Sequence, residues 1–215
     1  MSGGLPVIII GAGGHGKVVA GLLQAAGAKV IGLTDNDTAL HGGEVLGYPV
    51  LGGDSVIDGH APDMVELTVG VGSTAPGSSR KKIYDGFAAR GYRFRTCIHP
   101  AAWVSADAEL GDGTQVMAGA VIQPGCAIGE NAIINTRASI DHDCHIGAHA
   151  HIAPGAVLGG EVSVGVSTHV GIGATVIEDL TIGAGAMIAA GACVVADVGD
   201  GTCVAGVPAR EMRRV

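Results

Sequence analysis

The chain has 215 residues; 47% are apolar, but only 3% are aromatic, against 38 glycines. A core so poor in Phe, Tyr and Trp must be filled by Ile, Val, Leu and Ala, which suits a narrow, regular interior. The net charge of −8 and the lack of any basic stretch that could follow a phosphate backbone argue against nucleic acid as a partner. The five cysteines (Cys97, Cys126, Cys144, Cys193 and Cys203) are odd in number and form no CxxC pair. That pattern fits reduced thiols in the cytoplasm. The apolar run Val7–Ile10 is too short for a signal or a membrane span.

Residues 1–96 read as alternating strands and helices. Leu5–Ile10 is a predicted strand that ends in glycines. Lys17–Ala26 has helical spacing, with Val18, Leu22 and Ala25/Ala26 on one side and Gly27 as its stop. Lys29–Leu33 is a second predicted strand and Val65–Val71 a third, and Ser78–Arg90 is a helix stopped by Gly91. This βαβ order predicts a Rossmann-like α/β domain with a mainly parallel sheet. Between the first strand and helix lies Gly11-Ala12-Gly13-Gly14-His15-Gly16, a GxGxxG loop in the context that suits a phosphate. A tight β-to-α turn without a ligand uses the same glycines. NAD is a poor fit, because no second domain for hydride transfer follows. Asp35, at the end of the second strand, sits where such folds hydrogen-bond a ribose or base; it also reads as a solvated turn residue in Asp35-Asn36-Asp37.

From residue 97 the grammar changes. Ile98, Val104, Leu110 and every sixth residue on to Val194 are aliphatic, 17 in unbroken succession. Four residues after each comes a small or apolar residue, from Ala102, Ala108 and Thr114 to Val198. This is the hexapeptide beat of a parallel β-helix over 97–215, closed by a short C-terminal extension. Gly111, Gly129, Gly147, Gly165 and Gly183 lie 18 apart, so three hexapeptides make one triangular coil and residues 18 apart stack. Each inward aliphatic contributes roughly 1.5–3 kcal/mol of gross burial. The period does not fix handedness.

Three segments carry a resemblance: Ile9–Val19 (IIGAGGHGKVV), Asn135–Gly147 (NTRASIDHDCHIG) and Val204–Arg210 (VAGVPAR). Together with the hexapeptide register they resemble the left-handed β-helix acyltransferases. The similarity is to the sialic-acid O-acetyltransferase type, which includes the bacillosamine-pathway and perosamine N-acetyltransferases. The resemblance implies a cytoplasmic, homotrimeric, acetyl-CoA-dependent N-acetyltransferase of surface-polysaccharide biosynthesis. Its acceptor would be a nucleotide-linked 4-amino-4,6-dideoxy sugar such as GDP-perosamine. O-acetylation of a sialic acid is the nearest alternative.

The site residues follow from combining the two readings. His142, two residues beyond the inward Ile140, falls away from the core and is the expected general base; a flanking carboxylate would orient it, and the resemblance implies Asp143 rather than Asp141. Gly160 stacks one coil after His142, leaves room for a thioester and offers its N–H to an oxyanion. By resemblance, Gly13, Gly14, His15, Asp35, Gly72 and Asn135 contact the nucleotide sugar. His151, Ile172, Gly173, Ala190, Gly206 and Pro208 contact acetyl-CoA, and Arg210, Arg213 and Arg214 meet its phosphates unless the C-terminus is simply a solvated helix. Cys144 falls in an inward position and is expected to be inert. A metalloenzyme of the gamma-carbonic-anhydrase kind would instead use His142, His145, His149 and His151 with Cys144; no metal is expected. A non-catalytic nucleotide-sugar sensor is the remaining alternative.

Overall fold

The computed structural model describes residues 4–73 and 79–212. The chain divides into two compact units, Met1–Gly72 with Ser79–Pro100 and Ser73–Ser78 with Ala101–Val215.

The first unit is an α/β sheet built from β1 (Val7–Ile10), β2 (Val30–Thr34), β3 (Glu44–Val45), β4 (Tyr48–Gly52), β5 (Glu66–Val69) and β6 (Arg93–Phe94). Its order is β3-β4-β2-β1-β5-β6, parallel throughout except for the β3–β4 hairpin. Helices α1 (Gly14–Ala25) and α2 (Ser79–Ala88) accompany it, and Ile8, Ile10, Leu67, Val69, Tyr84, Phe87 and Phe94 share one core. The hairpin and β6 were not expected from the sequence. The hairpin turns on Leu46 and Gly47, both at positive φ (52° and 82°), and leucine gives no turn signal there.

The second unit is the three-sided column that the beat predicts. Its first face stacks Gln115–Val116, Ile133–Ile134, His151–Ile152, His169–Val170, Met187–Ile188 and Cys203–Ala205. The second runs from Trp103–Val104 through Ser139–Ile140 to Cys193–Val194. The third runs from Glu109–Leu110 through His145–Ile146 to Thr181–Ile182. All these pairings are parallel and offset by 18, as in Ser139↔Val157. From Val116 to Val194 the aliphatic anchors are buried. The first of the 17, Ile98, is not; it is 40% exposed, and its neighbour Cys97 is buried in its place.

Each corner is made the same way. Every sixth residue from Gly113 to Gly191, three past its anchor, has a positive φ, including Asn131, Arg137, Asp143, His149, Glu161, Ser167 and Asp179. One left-handed residue per corner turns the strand through the prism edge. Where the inward small residue is Thr or Cys, its side chain donates to a carbonyl of the next coil: Thr114 to Gly129, Cys126 to Asp141, Cys144 to Gly159 and Thr168 to Gly183. The C-terminal extension folds back as an antiparallel pair, Arg210–Glu211 against Cys203–Ala205, and is not helical through Met212.

The glycines 18 apart are required by space rather than by φ. A Cβ on Gly111, Gly129 or Gly147 would stand 2.5, 2.5 and 2.6 Å from a backbone nitrogen of the next coil. Backbone cannot yield as a side chain can, so Gly147→Ala should cost about 1–3 kcal/mol and lower Tm by roughly 3–10 °C. Gly86→Ala, in open space on α2, should leave Tm unchanged or raise it by a few degrees. Thermal unfolding of both variants checks the contrast.

Candidate active site

The expected base and its orienter sit on the corner after Ile140. Ile140 is fully buried at the end of its strand, and Asp143 takes the left-handed corner position at φ 58°. His142 lies between them and projects outward, its side chain 54% exposed. Its backbone N–H donates to Asp141 Oδ1 at 2.8 Å, and its Nδ1 lies 2.8 Å from Asp143 Oδ2. The orienting carboxylate is thus Asp143, and Asp141 holds the backbone. With the Nδ1 proton engaged by Asp143, the Nε2 lone pair is left to take a proton. The hydrogen bond to Asp143 is the main reason the His142 pKa stands above its ordinary 6.5; the charges of Asp141, Asp143 and Glu161 add to it, against some desolvation.

Two glycines seat this pair. A Cβ on Gly160 would lie 2.5 Å from His142 Nε2 and 2.6 Å from Cε1, so the ring rests on the bare Gly160 backbone one coil on. Gly160 is buried; its carbonyl accepts from Asp179, and its own N–H makes no hydrogen bond among the described residues. Gly125, one coil before Asp143, has the Asp143 carboxylate against it in the same way. The 18-residue period that identifies Gly160 identifies Gly125 as well. Cys144 beside the pair is buried, and burial pushes its thiol up to about 12, which disfavours the thiolate.

A second group of expected residues lies on the first face. His151 Nε2 is 2.9 Å from Asn135 Nδ2, and the Asn135 Oδ1 accepts from the Thr136 N–H at 2.7 Å. The amide is thereby fixed with its NH2 toward the ring, so His151 Nε2 accepts and the proton sits on Nδ1. That proton meets the Ser73 carbonyl at 3.0 Å. Ser73, His151, Ala153, Pro154, His169, Gly171, Ile172, Met187, Ile188 and Ala190 line a cavity of about 350 Å³. It contains three of the residues expected for the acyl donor (His151, Ile172 and Ala190). Gly173 is the left-handed corner residue beside Ile172, at φ 64°. Ser73 and His169 carry no sequence signal of their own, although His169 is the residue one coil after His151.

Comparison with known proteins bears on this arrangement. The model of the PglD N-terminal domain matches residues 6–87, and that of the bacterial transferase hexapeptide (six repeats) matches 107–141 and 128–160. The acetyltransferase domain of PglB from Neisseria gonorrhoeae FA1090 is 39% identical, with a TM-score of 0.90 over 97% of this chain and 100% of that one. The chain belongs to the hexapeptide-repeat acetyltransferases with a PglD-type N-terminal domain. The same PglB domain solved with acetyl coenzyme A has a TM-score of 0.89, at 39% identity over 98% of this chain and 100% of that one. A GDP-perosamine N-acetyl transferase from Caulobacter crescentus, solved as a histidine-to-alanine mutant with CoA and GDP-perosamine, is 40% identical. Its TM-score is 0.88 over 100% of this chain and 99% of that one. Among curated proteins, none matches.

Elsewhere in this acetyltransferase the expected residues divide. In the glycine loop, Gly11 (φ 108°) and Gly16 are needed because the Gly11, Gly16 and Gly70 backbones touch. Gly13 and Gly14 have open space where a Cβ would be, so internal packing does not demand them. His15 packs on Gly72, where a Cβ would come within 3.4 Å. Asp35 is no loose turn residue: Oδ2 accepts from the Ala12 N–H at 2.8 Å and Oδ1 from the Asp37 N–H at 2.9 Å, tying the loop to the end of β2. Gly206 and Pro208 lie in the closing turn and are not among the residues lining the His151 cavity. Arg210 donates to the Ala209 carbonyl, and Arg213 and Arg214 fall outside the described residues. Among the described residues no three His, Cys, Asp or Glu come together as a metal site. No helix among them is long and apolar enough to cross a membrane.

A base must be neutral, so activity should fall as pH drops through a His142 pKa above 6.5. Asp143→Asn keeps a residue tolerant of the left-handed corner and removes the charge. The acid limb of kcat/KM should then move to lower pH while the rate falls. Gly160→Ala should displace the ring and lower kcat at least tenfold with an unchanged circular dichroism spectrum.

Proposed function

We propose that this chain is an acetyl-CoA-dependent N-acetyltransferase whose acceptor is a nucleotide-linked 4-amino-4,6-dideoxy sugar, with GDP-perosamine the first substrate to try. The observation that carries the reading is the His142–Asp143 pair, seated between Gly125 and Gly160 in a chain 40% identical to a GDP-perosamine N-acetyl transferase. The open Gly13–Gly14 edge of the loop and the N-terminus of α1 suit a nucleotide's phosphates. The His151 cavity suits the acyl donor's arm.

Transfer is direct in this reading. The sugar amine attacks the thioester carbonyl, and His142 Nε2 takes the proton that the nitrogen must lose on becoming an amide. Asp143 stabilises the imidazolium. The tetrahedral oxyanion takes the Gly160 N–H, and collapse expels the CoA thiolate, which recovers the proton.

The placement of the two groups on the column favours a site shared between copies. His142 stands on the corner between the second and third faces, opposite the first face, where the His151 cavity opens. The full width of the second face separates that corner from Ile172 and Ala190. In this reading the corner of one copy meets the cavity of another, as in a homotrimer with its sites between columns.

His142→Ala should lower kcat by about 10²–10⁴ with GDP-perosamine and acetyl-CoA, followed by free-thiol release. No turnover by the wild type with GDP-, UDP- or CMP-linked aminosugars, or turnover of a sialic acid alone, would overturn the acceptor assignment. Mixing inactive His142→Ala with inactive Ala190→Trp should restore part of the activity once subunits exchange. Two inactive parents that never complement would place each site within one chain.

A further inference from the structure

The cavity on the first face has three polar side chains among its lining residues, Ser73, His151 and His169. Two of them are held to each other: Ser73 Oγ and the Ser73 carbonyl each lie 3.0 Å from His151 Nδ1, and Asn135 occupies His151 Nε2. His151 therefore has no ring nitrogen left to offer.

His169 differs. Its ring stands edge-to-face against His151, with centroids 4.9 Å apart and an interplanar angle of 86°. It is 8% exposed, and its Nδ1 is buried with no hydrogen-bond partner. No hydrogen bond from Nε2 occurs within the described residues either. Burial lowers the His169 pKa, so the ring is neutral and carries one proton. An N–H shut away from any acceptor is among the rarest features of folded proteins, and a bare lone pair is more easily tolerated. The proton therefore belongs on Nε2, the nitrogen not shut in on the buried side. His169 thus gives a cavity walled chiefly by Ala153, Pro154, Ile172, Met187 and Ile188 an unengaged ring N–H donor.

We propose that His169 is a ligand-binding residue, donating from Nε2 to a carbonyl oxygen of the acyl donor's pantetheine arm. The assignment rests on the acetyl-CoA reading above. A long, largely apolar chain interrupted by amides matches such a chamber: the aliphatic walls take the methylenes, and the ring N–H fixes the register of the arm. His169 would position the thioester rather than take part in proton transfer.

The experiment is calorimetric binding of CoA, pantetheine and adenosine 3′,5′-bisphosphate to the wild type, His169→Leu and His169→Gln. The leucine variant should bind CoA and pantetheine about 5- to 20-fold more weakly, the size of one lost hydrogen bond. It should bind the bisphosphate, which lacks the arm, as the wild type does. The glutamine variant, which keeps a donor, should stay within about threefold of wild type for all three. Equal CoA affinity in a natively melting leucine variant overturns the proposal, as does an equal loss for the bisphosphate. Should the leucine variant not fold, ¹⁵N spectra of wild-type imidazoles serve instead. A neutral Nε2–H His169 whose signals shift with pantetheine supports the assignment, and an Nδ1–H or unresponsive ring refutes it. Failure of the wild type to bind CoA at all would sink the acetyl-CoA reading, which is a different result from wild-type binding that His169→Leu leaves intact.

Discussion

Every feature of the column depends on the requirement that each coil lie directly on the one before it. Parallel strands pair at about 4.8 Å, and the repeat holds that pairing in register by placing residue 18 over residue 0. The ladder leaves little freedom: Ser139 donates to Ala156, Asp141 to Leu158, and Glu161 back to His142, at 2.9–3.1 Å. A residue's surroundings are therefore set chiefly by what stands 18 before and 18 after. Gly111, Gly129 and Gly147 follow because no Cβ fits between stacked backbones. The Thr114–Gly129 and Cys144–Gly159 contacts follow because a small inward donor meets the carbonyl above it.

The candidate site uses that stacking. An exposed histidine on an ordinary loop samples several rotamers, and its orientation carries an entropic cost. Here the ring is pressed on Gly160, its Nδ1 is held by Asp143, and the backbone before it is tied by Asp141. Asp143 in turn occupies the one corner residue that must be left-handed, a conformation Asp tolerates better than most. The side chain is open to solvent yet fixed.

Legibility from sequence followed the same rule. What is periodic could be read: the three-sided column, the buried anchors, the outward His142, and the glycine stacked above it. What depends on chain segments outside the period could not. Ser73 reaches His151 from 78 residues away, and no spacing announces it. The β3–β4 hairpin turns on Leu46, and the antiparallel return of Arg210–Glu211 after Pro208 gives no strand pattern. Asp35 was legible as a residue near the loop, but whether it faces a ligand or the Ala12 amide is settled only in three dimensions. Ile98 keeps the beat yet stays exposed, with Cys97 buried instead. Gly125 and His169 are a different kind of omission. The 18-residue rule applied to Asp143 and to His151 reaches both.

Three histidines on this one scaffold show how a fixed backbone assigns protons. At His142 a carboxylate takes Nδ1–H and raises the pKa, leaving a basic Nε2 at the surface. At His151 an amide oriented by the Thr136 N–H donates to Nε2, which drives the proton to Nδ1 and onto the Ser73 carbonyl. At His169 burial without a partner for Nδ1 drives the proton the other way and lowers the pKa. The side chain is the same each time, and its unperturbed pKa near 6.5 would leave all three poised alike. What separates them is whether the neighbour at the ring is an anion, an amide or nothing, and the coil register decides that before any ligand arrives. The corner thus holds an imidazole made more basic by its carboxylate, and the face holds two imidazoles fixed as neutral hydrogen-bonding groups.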